Sequence, residues 1–272
     1  MLTELPESAA TGEIARIFGE IRHVYATPYV SSIHRHLATL PGVLEWAWEA
    51  SAPVFRSGRA QETAWRIAAD VSLAAPRRIP AEALAVWRVA PDDVPRIRAI
   101  ADSFTRVAPL NLVFGGIVRD LLRGAKSVGS GTCDAASWTP PPALASPPAM
   151  VDPARLSEAE RRLLELFRSG SGATAFVPGL YRMLAHWPAL LAHLAVDLVP
   201  LLSSPEKLRI AETLLASIDA AVADLRAGLP LPKLPAPDPD TAAHLRRMID
   251  GYRVTSPEMI LFGRLVREAL PV

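Results

Sequence analysis

An internal duplication limits what this chain can fold into more than any other feature of its sequence. Residues 27–57 match residues 174–204, which lie 147 positions later, and residues 91–122 match residues 239–270 at a spacing of 148. In the second pair of windows Pro91, Asp92, Arg98, Asp102, Pro109, Phe114, Gly115, Val118, Arg119 and Leu122 recur as Pro239, Asp240, Arg246, Asp250, Pro257, Phe262, Gly263, Val266, Arg267 and Leu270. Two separate windows with nearly the same spacing indicate a duplication. Each difference between the copies therefore becomes a candidate functional site.

The duplication predicts two repeats, residues 1–123 and 157–272, joined by a linker at residues 124–156. A unit of this length is much longer than solenoid repeats, which span about 20–50 residues. We therefore expect the two copies to pack as a pseudo-dimer and to share one core. The linker is rich in Pro and Gly, so it is interpreted as a surface connection.

The residue patterns predict an all-α fold. Half of the residues are hydrophobic and only 6% are aromatic, with many Ala and Leu, which favours helices. Residues 12–25 carry a helical apolar stripe after a possible N-cap at Thr11. Ser157 and Glu160 have the spacing of a capping box. Helix starts are further predicted at Pro205, Pro109 and Pro257, because proline is favoured in the first turn of a helix.

Composition narrows the range of functions. The net charge of +1 without a basic block argues against nucleic-acid binding. The chain has neither a signal peptide nor an apolar run of about 20 residues, so we expect a soluble cytoplasmic protein that does not bind membranes. Cys133 is the only cysteine, which excludes an internal disulfide or a cysteine-based metal site. No motif for a nucleotide cofactor or for a metal is found, so no cofactor is expected.

Asn111 is the first difference between the copies, since Met259 occupies the matching position. Both residues follow the predicted helix caps Ala108 and Ser256 by three positions. Asn111 would then lie in a first helical turn, where free N–H groups and the positive end of the helix dipole suit a carboxylate or a halide. The alternative is an asparagine that satisfies the end of its own helix.

Asp197 is the second difference, since Ala50 occupies the matching position. Its neighbours in residues 194–199 are apolar, and a desolvated carboxylate with a raised pKa suits a general base. The alternative places Asp197 with His193, one helical turn earlier, on a solvent-facing stripe.

A third difference lies in residues 29–35 and their counterparts 176–182. His34 and Tyr181 form a matched polar pair there, although a lone histidine is also common in a core or on a surface. We expect these segments to line a small pocket between the repeats together with Asn111. The predicted substrate-binding residues are Val30, Ile33, His34, Val177, Gly179, Leu180 and Tyr181.

The sequence resembles the DehI-type (group I) 2-haloacid dehalogenases. The similarity rests on residues 36–48, which read HLATLPGVLEWAW, on the Pro109-Leu110-Asn111 triplet and on the two-copy helical plan. It implies an AhpD-like helical pseudo-dimer that hydrolyses 2-haloalkanoic acids of either configuration without a cofactor. An aspartate would activate a water that attacks and inverts the α-carbon without an ester intermediate, and Asn111 would hold that water.

The chain departs from this family at the catalytic base. The resemblance places the aspartate directly before the Tyr181-Arg182 pair, where this chain has Leu180 (or Gly179). Asp197 remains the other candidate base, and Asn111 and Asp197 are therefore the predicted catalytic residues. The first hypothesis is a dehalogenase acting on a small halocarboxylic acid, and the second is a non-catalytic homologue that binds a small hydrophobic carboxylic acid. A helical interaction module is a third alternative, and homodimer formation stays open.

Overall fold

The computed structural model of the chain describes residues 3–124, 138–169, 176–227 and 229–271. Eleven α-helices lie within these residues, and the expected all-α class is confirmed. In chain order they are α1 (Gly12–Tyr25), α2 (Ser32–Leu37), α3 (Val43–Arg56), α4 (Arg59–Ala69), α5 (Ala81–Val86), α6 (Asp93–Leu122), α7 (Glu158–Glu165), α8 (Gly179–Leu184), α9 (Pro188–Leu198), α10 (Pro205–Arg226) and α11 (Pro239–Ala269).

Local sequence signals set several of the helix ends. Helix α1 spans the residues that the apolar stripe predicts, and Thr11 stands at its N-cap, although its side chain makes no capping bond. Ser157 and Glu160 form the predicted capping box at the start of α7. Helix α10 begins at Pro205, and the Ser204 side chain accepts a hydrogen bond from the Lys207 N–H. Polar caps of this kind pair backbone N–H groups that a helix start leaves without partners.

Helices α6 and α11 run without a break through Pro109 and Pro257, so the predicted helix starts at these prolines are wrong. Proline normally disrupts a helix interior, because it lacks an N–H and its ring clashes with the preceding turn. Here the residues around both prolines are buried on all sides. Packing of the two long helices therefore outweighs the local cost. Asn111 consequently lies in the middle of α6, and the expected anion site at a helix N-terminus does not exist.

The helices of the second half follow the order of the first half. Helix α8 begins and ends 147 positions after α2, and α11 covers nearly the same stretch of its copy as α6 does. Helices α6 and α11 form the largest helix–helix contact among the described residues and carry much of the shared core.

Contacts between α6 and α11 occur in reciprocal pairs. The Cα of Gly115 faces Ile249, and the Cα of Gly263 faces the carbonyl oxygen of Ala101, so repeat-equivalent residues exchange partners. The ion pairs between the helices follow the same rule: Arg119 with Asp250 at 3.4 Å, and Arg267 with Asp102 at 2.6 Å. Contacts that recur with the partners exchanged are self-complementary.

The described part of the linker packs against the first repeat. Its Leu144 N–H donates to the Ala26 carbonyl at 3.2 Å. The Trp138 ring lies directly against Gly58, which has a left-handed φ of 78° and no room for a Cβ. This segment therefore covers part of the core. Cys133 falls outside the described residues.

Gly116 allows α6 and α10 to approach closely, which gives a first testable prediction. An added Cβ at this position would lie 2.7 Å from the Val222 side chain. We expect Gly116→Ala to lower the free energy of unfolding by about 1–3 kcal/mol, because one of the helices must move. Gly251→Ala in α11 is the matched control, since its Cβ would meet nothing within 4 Å. It should raise stability by roughly 0.5–1 kcal/mol. Urea denaturation measures both values, and equal effects of the two variants would contradict the close contact.

Within the described residues, no single helix has both the length and the apolar character of a membrane span. Helix α9 with the turn that follows it and α10 reach that composition only as a pair, which is bent by 78°.

Candidate functional site

Four polar side chains of the first repeat meet inside the core and define the candidate site. Ser31 precedes α2, His34 lies in the first turn of α2, and Asn111 belongs to α6. The Ser31 hydroxyl donates to Asn111 Oδ1 at 2.9 Å and lies 2.9 Å from His34 Nδ1. The hydroxyl of Tyr25 lies 3.4 Å from His34 Nε2. We call these four residues the Asn111 cluster.

Hydrogen-bond directions within the Asn111 cluster follow from the donors and acceptors present. The single proton of the Ser31 hydroxyl goes to Asn111 Oδ1, because a carbonyl oxygen can only accept. His34 Nδ1–H therefore donates to the Ser31 oxygen, and Nε2 accepts from the Tyr25 hydroxyl. This series of hydrogen bonds fixes the orientation of the Asn111 amide.

The amide nitrogen of Asn111 is the free donor of the cluster. Among the described residues no protein group accepts a hydrogen bond from it. Asn111 is only 8% exposed, so little solvent reaches its amide. The amide is therefore suited to donate to a small bound molecule, such as a water, a halide or a carboxylate.

Aromatic and aliphatic side chains enclose the cluster. The ring centroids of His34 and Phe114 are 4.4 Å apart, and Phe55 stacks on both Tyr25 and Trp48. Val30 and Ile33, both predicted pocket residues, are buried in the same core. Polar interactions gain strength in such an apolar environment.

Burial keeps His34 neutral. Desolvation lowers the pKa of its imidazole to about 3, since a charged ring loses its hydration inside the core. At neutral pH His34 therefore acts as a neutral member of the hydrogen-bond chain. It does not supply a positive charge.

This shift makes stability depend on pH in a known direction. Between its usual pKa of 6.5 and about 3, His34 binds a proton in the unfolded chain but not in the native protein. Its stabilising contribution is complete above pH 6.5 and is lost as the pH falls towards 3, at up to about 1.4 kcal/mol per pH unit. We expect His34→Gln to remove this slope in urea unfolding measured from pH 7 to pH 4. His23→Gln, at an exposed position of α1, should keep the slope, and an unchanged slope in His34→Gln would refute the assignment.

The second repeat has a different buried cluster at the matching place. Tyr181, the counterpart of His34, donates to Glu258 Oε1 at 2.7 Å. The other oxygen of Glu258 lies 3.6 Å from Lys207 Nζ, which also donates to the Leu202 carbonyl at 3.2 Å. Sequence reasoning missed this cluster because Glu258 directly follows Pro257, where the sequence predicts a helix start. The useful signal is a glutamate directly before the apolar run 259–262.

Glu258 is the only fully buried carboxylate among the described residues, and it is already engaged. Burial raises the pKa of its carboxyl, while Tyr181 and Lys207 oppose that shift. Its two oxygens bind protein groups of the second repeat. Asn111, in contrast, has Ser31 as its partner.

Leu180 is completely buried and belongs to the hydrophobic core. Tyr181 is buried beside it, and Val177 is half-buried. Gly179 begins α8 and lies against Phe104 of α6. The predicted residues of the second segment thus lie in α8 or just before it, and position 180 itself offers only an aliphatic side chain.

Asp197 does not join the Asn111 cluster. It is exposed on α9 and lines a groove of about 820 Å³ with Trp87, His193 and Arg78. None of the four residues of the Asn111 cluster lines this groove. The solvent-facing alternative for Asp197 therefore fits the structure, and a general-base role at Asn111 does not.

One pair of histidines joins the two repeats. His36 Nδ1–H donates to the Thr3 carbonyl at 2.7 Å, so its Nε2 accepts from His244 Nε2–H at 2.9 Å. No group of three or more His, Cys, Asp or Glu side chains that could hold a metal ion occurs in the described part of the chain.

The fold is that of known haloacid dehalogenase structures. The chain is similar to a D-2-haloacid dehalogenase mutant in complex with D-2-CPA, with a TM-score of 0.68, 16% identity and coverage of 99% of this chain and 96% of that chain. A second structure of a D-2-haloacid dehalogenase mutant has a TM-score of 0.68 and 17% identity, and the match covers 99% of this chain and 96% of that chain. A structure of a D-2-haloacid dehalogenase with L-LA has a TM-score of 0.61 and 19% identity, and the match covers 99% of this chain and 94% of that chain. No family model and no curated protein matches the sequence. At this level of identity the likeness establishes the all-α fold over nearly the whole chain.

Proposed function

We propose that this protein is a dehalogenase-like hydrolase of the group I type that acts on small 2-haloalkanoic acids without a cofactor. The observation that carries the proposal is the free amide donor of Asn111, which is fixed by Ser31 and His34 among buried aromatic side chains. The fold likeness supports the same reaction class, and the relatives with solved structures are named for that activity.

Asn111 would act by holding the attacking water. The water oxygen forms a bond to the α-carbon while the carbon–halogen bond breaks, and the halide leaves with the bonding electrons. The attacking oxygen then releases one proton to solvent and keeps the other as the hydroxyl of the 2-hydroxy acid, and the α-carbon is inverted. A donor that fixes the water oxygen contributes mainly by positioning the nucleophile.

Leu180 makes this reaction slow, because an aliphatic side chain cannot take a proton from water. The absence of a positioned general base typically costs a factor of about 10²–10⁴ in rate. His34 is a poor substitute, since burial lowers its pKa to about 3. We therefore expect slow turnover in the natural sequence.

Chloride release from each enantiomer of 2-chloropropanoate tests the proposed activity. The natural protein should release chloride slowly from both enantiomers, and Asn111→Ala should abolish the release. Ser204→Ala, which removes only the cap of α10, is the control for small losses of stability. No release from either enantiomer by folded protein would reject the hydrolase.

A non-catalytic homologue is the second candidate function, and the aliphatic residue at position 180 favours it. Such a protein would bind a small hydrophobic carboxylic acid beside Asn111 without turning it over. It predicts that 2-chloropropanoate raises the melting temperature while no chloride appears. Release that exceeds the rate in buffer and depends on Asn111 would exclude this alternative.

A further inference from the structure

An open groove between the repeats lies apart from the Asn111 cluster. Its volume is about 480 Å³, which falls within the range of small-molecule pockets. Helices α4, α6 and α11 and the linker form its walls. The side chains that define its chemistry are Trp65, Arg106, Leu144, Ile260, Arg264 and Arg267.

Arg106 is held rigidly at one side of the groove. Its Nη1 donates to the carbonyls of Ala26 at 3.2 Å and of Pro142 at 3.0 Å. Its guanidinium lies 5.8 Å from the centre of the Trp65 ring, and the indole N–H donates to the Arg106 carbonyl at 3.0 Å. The remaining N–H groups, on Nε and Nη2, have no protein acceptor among the described residues. A guanidinium fixed in this way loses little entropy on binding an anion.

Arg264 supplies a second fixed charge. Its guanidinium binds the carbonyls of Ala68 at 2.8 Å, Ala69 at 3.4 Å and Val71, at the C-terminal end of α4. Neither Arg106 nor Arg264 forms an ion pair with a carboxylate in the described part of the chain. Asp102, the carboxylate among the lining residues, is bonded to Arg267 instead. The groove therefore keeps an excess of positive charge.

We propose that this groove binds a small aromatic carboxylate, with the carboxylate on Arg106 and the ring between Trp65, Leu144 and Ile260. Guanidinium groups match carboxylate geometry through paired N–H bonds. The partly buried indole and the aliphatic side chains offer a flat apolar surface for a ring. Arg264 adds attraction through its charge. The site is separate from the proposed catalytic site, because no residue of the Asn111 cluster lines it.

Isothermal titration with benzoate at millimolar concentration tests the site, with benzamide as the neutral analogue of the same shape. Benzoate should bind the natural protein, and binding should weaken as salt rises, while benzamide should not bind. Arg106→Gln should reduce the association constant at least about tenfold, the loss expected for one charged hydrogen bond. Arg162→Gln, which removes an exposed arginine of α7, is the matched control and should bind like the natural protein.

Three further variants keep the test decisive. Leu144→Glu places a carboxylate in the groove from the linker and should block benzoate, whereas Leu144→Gln should not. Asn111→Ala should leave benzoate binding unchanged. The benzoate site and the proposed hydrolase are therefore tested separately, and either proposal can be rejected while the other stands. Equal binding of benzamide, or undiminished binding by Arg106→Gln or Leu144→Glu, would overturn the proposal, as would no binding to the natural protein.

Discussion

Leu180→Asp is expected to raise the rate of chloride release from 2-chloropropanoate by a factor of about 10²–10⁴, the usual contribution of a general base. The physical reason is that the leucine is completely buried beside Tyr181, at the position where the family resemblance places a base. A carboxylate in that environment is desolvated, which raises its pKa and suits it to accept a proton from water. The rate of chloride release from each enantiomer of 2-chloropropanoate measures the effect.

Leu180→Asn is the matched control for this substitution. The asparagine side chain has nearly the same shape as aspartate and is also polar, but it cannot accept a proton at neutral pH. The Leu180→Asn variant should therefore release chloride at the rate of the natural protein. Circular dichroism and a urea titration establish that both variants are folded, since a buried polar group costs stability. A folded Leu180→Asp variant with unchanged chloride release would show that position 180 does not face the substrate.

Lys207→Met is expected to lower the free energy of unfolding by about 3–5 kcal/mol, because it leaves Glu258 buried without a cation. Lys207 and Glu258 have side-chain exposures of only 9% and 5%. Removal of the lysine should raise the pKa of Glu258 further. The loss of stability should therefore be greatest at neutral and alkaline pH and should shrink as acid protonates the carboxyl.

A second substitution separates the lost ion pair from lost packing. The double variant Lys207→Met/Glu258→Leu should recover most of the stability, because an apolar pair of similar volume often replaces a buried ion pair without loss. Lys233→Met, at an exposed position, is the surface control. Urea denaturation at pH 7 measures all three, and a Lys207→Met variant as stable as Lys233→Met would show that the pair contributes nothing.

Local signals and the duplication predicted much of the fold. The apolar stripe gave the bounds of α1, and the capping box gave the start of α7. The residues shared by both copies include Arg119 and Asp250, which pair across the two long helices. These features depend on neighbours within one turn or on symmetry, and both are visible in a sequence.

Features that depend on packing between distant segments could not be predicted in the same way. Pro109 reads as a helix start, yet burial on all sides keeps α6 continuous. Ser31 and Asn111 are 80 positions apart, and Tyr181 and Glu258 are 77 apart, so no local pattern announces their contacts. The difference between the copies marks Asn111 as a candidate, but the predicted place of Asn111 at a helix end is wrong, because it lies in the interior of α6. The apolar neighbours of Asp197 in the sequence predict a desolvated carboxylate, although its own face of α9 is exposed.

The most direct test of the central claim is the binding of 2-chloropropanoate at Asn111, since both candidate functions require it. The measurement is the rise in melting temperature of the natural protein and of Asn111→Ala as the acid concentration increases, with sodium chloride at equal ionic strength as the reference. A ligand that binds the native state must raise the melting temperature in proportion to its saturation. The structure predicts a concentration-dependent rise for the natural protein and almost none for Asn111→Ala. An equal rise in both proteins, or none in either, would contradict a small-acid site at Asn111.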